Sequence, residues 1–250
     1  MSTPFISIIT VTYNAASTVG PTLESIKKQT FTDYEFLLMD GASTDNTVDI
    51  VRAAGIEGAR IFSSPDHGLY DAMNKGLGEA TGTYVMFLNA GDSLHSPDTL
   101  EIIARTAAQS DTPAVIYGQT DIVDSSRKKI AERHLIAPDN LSLESFKEGM
   151  MVCHQAFVAL RRIAPLFNTG YRYSADYDWC IQCLQHARHT AYTGTTLIDY
   201  LSEGITTANR RRSLIERFKI MSYYYGFWPT TVRHFGFARR FLKYQKSLKK

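Results

Sequence analysis

The 250-residue chain is poor in several things, and each shortage excludes something. It has three cysteines, Cys153, Cys180 and Cys183. So few, and an odd number, exclude a disulfide framework and point to a reducing compartment, the cytoplasm. Cys180-x-x-Cys183 resembles half a zinc site, but no second Cys/His pair follows at finger spacing. On a helix the two simply share a face, and buried, inert thiols are expected. No apolar run approaches the ~20 residues that span a bilayer. The opening Met-Ser-Thr-Pro-Phe lacks the basic and apolar regions of a signal peptide. A soluble or peripheral protein is therefore expected. Gly-x-Gly-x-x-Gly does not follow the first strand, which weighs against a dinucleotide oxidoreductase, and the phosphate loop Gly-x-x-x-x-Gly-Lys-Ser/Thr is absent too.

Acid is scarce at one end only. The formal charge is +2, but residues 210–250 hold twelve Lys or Arg and one acid, Glu216, a local charge of +11. Residues 1–209 carry −9. Such asymmetry marks a basic tail with an anionic partner. The hydrophobic share of 44% is enough for a buried core without disulfide staples.

The first hundred residues alternate strand and helix signals. Apolar runs at 5–11, 34–39, 60–62 and 84–88 read as strands. Helical spacing appears at 17–29, 45–54, 69–80 and 96–109, the last opened by Ser96-Pro97. This order predicts an α/β fold, a mostly parallel central sheet with helices on both faces. Further on, 115–117, 127–136 and 195–201 read as strands and 174–189 as a helix. The tail reads as two helices broken near Gly226 and Pro229. Ligands of such sheets bind beyond the carboxyl ends of the strands. That rule selects Thr12–Asn14, Asp40–Asp45, Ser63–Gly68 and Asn89–Asp92.

Asp40 at the end of the second strand is a ligand-binding candidate, whereas Asp45 suits an Asx turn that caps the next helix. Asp92 is either a loop acid or a hard oxygen ligand for Mg²⁺ or Mn²⁺. Asp176, in the first turn of a helix, is either favoured there by the helix dipole or a general base. Asp178, two positions on, points elsewhere. His154 is either a structural residue or a ligand.

Together these segments resemble the inverting glycosyltransferases of family 2, which have the GT-A nucleotide-sugar fold. The carriers are Ser7-Ile8-Ile9-Thr10-Val11-Thr12-Tyr13-Asn14; Asp40-Gly41-Ala42-Ser43-Thr44-Asp45-Asn46-Thr47; Asp66-x-Gly68-x-Tyr70-Asp71-Ala72-Met73-Asn74-Lys75-Gly76; Phe87-Leu88-Asn89-Ala90-Gly91-Asp92; His154-Gln155; and Ala175-Asp176-Tyr177-Asp178. They span roughly residues 5–205, and the third is similar to the branch that builds bacterial exopolysaccharides such as colanic acid.

The resemblance implies roles. Thr12, Tyr13 and Asn14 would border the nucleotide of a UDP-sugar, and Asp40, with Ser43 in the same motif, would meet the uracil. Asp71, with Asn74 and Lys75, would line the donor pocket. His154 and Gln155 would also contact substrate, and Asp92 would hold a divalent cation, Mn²⁺ or Mg²⁺. Asp176 would deprotonate an acceptor hydroxyl. Two departures stand out: Ala90-Gly91 precedes Asp92 where many relatives carry a second acid, and Ala175 stands where many have Glu. The sparse metal element also suits a degenerate nucleotide-sugar-binding module.

Residues 1–209 form the expected transferase domain, and 210–250 a helical basic tail rich in aromatics. Basic plus aromatic suits an anionic membrane surface, where a polyprenyl-linked saccharide acceptor would sit. Aromatic packing on the domain, a membrane scaffold and a homodimer contact are the other readings of the tail. Nucleic acid is not an expected partner, because the acidic remainder would repel it.

Overall fold

The computed structural model describes residues 3–202 and 210–247, with side chains placed through 202 and over 211–237. The expected domain end at residue 209, Lys249 and Lys250, and the side chains of Arg239, Arg240, Lys243 and Lys246 lie outside the described residues.

The N-terminal half alternates β1 (Ile6–Thr12), α1 (Val19–Lys27), β2 (Tyr34–Asp40), α2 (Thr47–Ala54), β3 (Arg60–Ser63), α3 (Leu69–Glu79) and β4 (Tyr84–Phe87). β1 is buried throughout, as its unbroken apolar run demands of a strand covered on both faces. Then follow β5 (Ser93–Leu94), α4 (Thr99–Gln109), β6 (Val115–Val123), β7 (Lys129–Glu132), β8 (Phe157–Leu160), α5 (Ala175–His186) and β9 (Thr190–Leu201). The tail forms α6 (Arg210–Tyr225) and α7 (Phe227–Ser247).

The strands form one sheet in the order β3-β2-β1-β4-β8-β6-β9-β5, with β7 paired to β6. β3, β2, β1 and β4 are mutually parallel. The order runs one way from β1 to β3 and returns to β4. Right-handed crossovers therefore put α1 and α2 on one face and α3 on the other. The reversal between β1 and β4 opens a crevice at their carboxyl ends. Beyond β4 the sheet is mixed: β8 is antiparallel to β4 and β6, and β9 is parallel to β6.

Three local readings are corrected. The fourth helix starts at Thr99, not Ser96, because the Ser96 hydroxyl bonds the Asp98 carboxylate at 2.5 Å in a turn of its own. Pro229 does not break the tail. Gly226, at φ +87°, makes the break, and Pro229 sits in the first turn of α7. β9 is twelve residues long, starting at Thr190 rather than at Thr195, and lies between β6 and β5.

Phe87, Phe157 and Phe167 surround Trp179, with ring centroids 5.1–5.8 Å away. Trp179 Nε1 donates to the Pro165 carbonyl at 2.8 Å. Burying each ring contributes about 1.5–3 kcal/mol. This cluster fixes α5 to the sheet and so fixes Asp176, one turn earlier. Cys180 and Cys183 are buried in the same helix, and burial pushes both thiols well up.

α6 is docked on the domain. Ile220 and Met221 are buried. Glu216 accepts from the backbone N–H groups of Arg172 at 2.9 Å and Tyr173 at 2.8 Å. Ser213 Oγ lies 3.0 Å from Ser174 Oγ. Tyr224 donates to Asp178 at 2.8 Å, which employs Asp178 structurally. The one acid of the tail thus ties α6 to the segment leading into α5. Glu216→Ala should lower unfolding stability by about 1–2 kcal/mol, read as a shift in the urea midpoint. An unchanged midpoint would mean that α6 is not anchored there.

Candidate active site

The parallel register sets Thr12, Asp40 and Ser63 side by side at the strand ends. Asp40 is 3% exposed, so its carboxylate needs partners. Thr12 Oγ1 donates to Oδ1 at 2.9 Å, Ser43 Oγ to Oδ1 at 2.5 Å, Ser43 N to Oδ2 at 2.9 Å and Ser63 Oγ to Oδ2 at 2.7 Å. Burial pushes its pKa up, but these four bonds win and hold it below the ordinary carboxylate range. The carboxylate thus shapes the loop, and its four lone pairs are filled from within.

Asn14, at φ +49°, accepts from the Thr44 N–H at 2.9 Å and donates its own N–H to Ser43 Oγ at 2.8 Å. That pins the first motif to the second. Gly41 leaves room for Asp66: a Cβ would stand 2.5 Å from Asp66 Oδ2 and 3.4 Å from the Tyr13 ring, so the Asp66 carboxylate would have to move aside. Tyr13 is 68% exposed at the mouth of the crevice, an aromatic face open to a planar ligand. Asp45 accepts from the Ala16 and Thr47 N–H groups, the expected Asx turn.

The third motif divides. Asp71 accepts from the His67 N–H at 3.0 Å and lies 3.5 Å from Lys75 Nζ, which also donates to the Pro65 carbonyl at 2.8 Å. The N–H at His67, then burial in the opposite sense, then Lys75 set Asp71 below the ordinary carboxylate range. Asn74 is a clamp: its Nδ2 donates to the Phe167 carbonyl at 3.0 Å, and its Oδ1 accepts from the Phe167 N–H at 2.7 Å.

Asp92, 5% exposed, lies beyond β4. Its Oδ1 accepts from the Leu201 N–H at 2.7 Å and its Oδ2 from Gln155 Nε2 at 2.5 Å. Burial outweighs both bonds and lifts its pKa to about 6. Gln155, fully buried, also accepts from the Asn89 N–H at 2.7 Å. One glutamine thus holds the turn and its acid together.

His154 Nδ1 is 3.4 Å from Asp176 Oδ2. Burial pushes the His154 ring down, but its bonds to Asp176 and Cys153 outweigh this and lift its pKa to about 10. Burial pushes Asp176 up; the His154 charge, with Arg217 and the Tyr177 N–H, brings it below the ordinary carboxylate range. Asp176 Oδ1 also accepts from Tyr70 OH at 3.2 Å and the Tyr177 N–H at 2.9 Å. A charged ring donates from both nitrogens. Asn89 Nδ2 lies 3.4 Å from His154 Nε2, while the buried Asn89 Oδ1 has no partner among the described residues. Turning that amide end for end gives the oxygen a partner and Nε2 an acceptor.

Contacts link Asp92, His154 and Asp176: Gln155, bonded to Asp92, is the chain neighbour of His154, which pairs with Asp176. A divalent cation fits the donor chemistry: each Asp92 oxygen keeps a second lone pair, and hard cations commonly take one carboxylate plus phosphate and water oxygens. Sequence reasoning did not find Arg217, whose charge acts on Asp176, since it lies in no motif. It also missed a cluster of His95, Asp121 and Asp199, whose ligand atoms lie within 4.8 Å of one another. There Lys129 pairs with Asp121 at 2.9 Å and His95 with Asp199 at 2.7 Å, so the charges answer one another.

The model of glycosyl transferase family 2 matches residues 7–164, and the chain belongs to that family: it is a glycosyltransferase. A PGL/p-HBAD biosynthesis glycosyltransferase of Mycobacterium bovis is 36% identical over 208 residues, covering 80% of this chain and 78% of the relative. The amylovoran biosynthesis glycosyltransferase AmsB of Erwinia amylovora is 28% identical over 192 residues, covering 70% of this chain and 62% of that protein. Among solved structures, S. aureus TarS 1–349 in complex with UDP-GlcNAc superposes with a TM-score of 0.70 at 17% identity, covering 87% of this chain and 64% of that one. The mannosyltransferase PcManGT from Pyrobaculum calidifontis, in complex with GDP-Man and Mn²⁺, gives a TM-score of 0.64 at 17% identity, covering 86% and 63%. The chain thus spans less than two thirds of either solved chain. At these identities the likeness is one of fold, the GT-A fold.

Proposed function

We propose that the chain transfers a sugar from a UDP-sugar to a saccharide acceptor, with inversion, in the building of a cell-surface polysaccharide or glycolipid. The observation that carries this reading is the chain of contacts beyond β4 in which Gln155 holds Asp92 and its neighbour His154 holds Asp176. Support for the donor comes from TarS, solved with UDP-GlcNAc, and for the product class from relatives named for PGL/p-HBAD and amylovoran biosynthesis.

Tyr13 and the Asp40 loop receive the nucleoside. Asp71, Asn74 and Lys75 shape the wall beside it. Asp92 would hold a divalent cation, Mn²⁺ or Mg²⁺, which supplies charge to the departing diphosphate. Asp176 takes the proton of the acceptor hydroxyl. The acceptor oxygen bonds to the anomeric carbon from the side opposite the diphosphate. The bond from that carbon to the phosphate oxygen breaks, and UDP leaves with its electron pair. His154 holds Asp176 ionised and aimed, and Tyr70 fixes its other oxygen. General-base help of this kind is worth ~10²–10⁴ in rate. Asp176→Asn should therefore cut turnover by about 10²–10⁴ while UDP binding holds. UDP release from a panel of UDP-sugars, with Mn²⁺ and a saccharide acceptor, checks it. Full turnover in Asp176→Asn would remove the base, and UDP binding without any transfer in the wild type would make the chain a binding module.

The tail fits a peripheral site at the inner face of the cell membrane, where a polyprenyl-linked acceptor would be held. No helix among the described residues is long and apolar enough to cross a membrane. On α7, Trp228, Val232 and Phe235 recur at i, i+4 and i+7 and are 75%, 69% and 70% exposed. The sequence adds Arg239, Arg240, Lys243, Lys246, Lys249 and Lys250 beyond them. An apolar face with a basic continuation suits anionic lipid. Changing all three residues to Ala should weaken binding to vesicles containing phosphatidylglycerol at least ~tenfold, since each buried side chain contributes about 1.5–3 kcal/mol. Unchanged vesicle binding, or a wild type that forms homodimers and ignores vesicles, would contradict this use of α7.

A further inference from the structure

Outside the catalytic motifs, the sheet register lines up a row of acids. Glu132 on β7 pairs with Asp121 on β6, and Asp121 pairs with Asp199 on β9. Residues paired across neighbouring strands project from the same face, and like charges set opposite one another are destabilising. The row continues to β5, where Ser93 pairs with Asp199. His95, two residues beyond Ser93, sets its ring Nδ1 2.7 Å from Asp199 Oδ1, while its backbone N–H donates to the Leu197 carbonyl. Three neighbouring strands thus bring an imidazole and two aspartates to one place.

Ligand atoms of His95, Asp121 and Asp199 lie within 4.8 Å of one another. Two ligands of one ion stand at most ~4 Å apart when each is ~2.1 Å from it. The three side chains therefore need to close by less than ~1 Å to share an ion. Asp121, 6% exposed, leans on Lys129 Nζ at 2.9 Å, which also lies 3.6 Å from Glu132. Asp199 leans on His95, which answers it in full only while the ring carries a proton. Glu132 adds a third carboxylate to the two that Lys129 and His95 answer. Arg127 is spent on the Gly91 carbonyl, at 2.6 Å, and on the Ser93 hydroxyl. A cavity of about 160 Å³ opens beside Asp121, lined also by Gln119, Lys129, Glu132 and Thr196, and gives room for water on an ion.

We infer that His95, Asp121 and Asp199 form a binding site for a divalent cation of the Zn²⁺ class, separate from Asp92. An imidazole among the ligands suits such an ion better than Mg²⁺ or Ca²⁺. Three protein ligands and one water complete its usual tetrahedron. On binding, the proton of the ligating ring nitrogen passes to water. Lys129, half-exposed, swings its ammonium toward Glu132 and solvent. One ion then does the work of the displaced proton and ammonium together. Its role is structural, a tie between β5, β6 and β9. β5 begins directly after Asp92, and Leu201, two residues beyond Asp199, donates its N–H to Asp92. The tie therefore steadies the two strands that carry the Asp92 turn. The inference does not depend on the transferase reading.

Calorimetry with Zn²⁺ on the full chain, without nucleotide, tests the site. The wild type should bind Zn²⁺ and melt at a higher temperature with it, while Mg²⁺ at the same concentration should do neither. His95→Gln and Asp199→Asn should each weaken Zn²⁺ at least ~tenfold, since losing even a group that supports a ligand costs that much. Lys129→Gln should tighten Zn²⁺ about two- to fivefold, because a competing cation is gone. A Lys129 that served only as a salt bridge would give no such gain. Asp92→Asn should bind Zn²⁺ as the wild type does, which separates this site from the cation of the sugar donor. Melts without metal confirm folding. Where Asp199→Asn melts early, His95→Gln and the gain in Lys129→Gln decide. A wild type that ignores Zn²⁺, or wild-type Zn²⁺ affinity in both His95→Gln and Lys129→Gln, would overturn the inference. Loss of Zn²⁺ binding in Asp92→Asn with His95→Gln unaffected would overturn it too, by giving the ion to Asp92.

Discussion

A carboxylate withdrawn from water must be paired, and the pairing of Asp176 with His154 is the constraint on which the site depends. Stripping one partner from a buried pair costs about 3–5 kcal/mol, because a charge is left uncompensated. The pair joins distant parts of the chain. His154 arrives on the turn before β8, Asp176 on the first turn of α5, and Tyr70 on α3. Gln155, next to His154, ties that turn to Asp92. The Trp179 cluster and the Glu216 contacts of α6 hold the α5 end. The acids of the site are therefore positioned by one connected set of contacts rather than by separate loops.

The same economy governs the nucleotide side. Asp40 spends its lone pairs on Thr12, Ser43 and Ser63, and in doing so aligns three strand ends. A base that sought this acid would have to exchange with a serine hydroxyl. Tyr13 and the β1 end are left open to it. The tail also has two faces. Ser213, Glu216, Ile220 and Tyr224 work inward on α6, while Trp228, Val232 and Phe235 face outward on α7. The helix pair thus touches both the Asp176 segment and solvent.

The parallel half was legible because each strand there is a short apolar run and each helix a clear period. Thr12, Asp40 and Asp92 were legible as strand-end residues for the same reason. β8 was not read, because its four residues follow a turn without any periodic signal. β9 was read short, since Gly194, at φ +73°, and a run of threonines interrupt its pattern. Asp176 was found by motif, but its partners Tyr70 and His154 lie 106 and 22 positions away, and no local pattern encodes such pairings. Asn74 read as a pocket residue and proved to clamp Phe167, because a motif names a residue without naming its contact. Charge counting marked the tail as basic but could not separate Arg217, whose Nε is buried, from the exposed Lys219 two positions on.

The charge state of His154 bears on all of this. Its pKa is lifted from 6.5 to about 10, so the pairing stabilises the fold fully below pH ~6.5 and is lost as pH rises through about 10. A titration of ¹⁵N-labelled histidine followed by NMR reads this ring directly. The pairing predicts a His154 ring still charged at pH 8, with a midpoint that falls toward the ordinary histidine range in Asp176→Asn. A ring already neutral at pH 8, or a midpoint indifferent to Asp176→Asn, would contradict it.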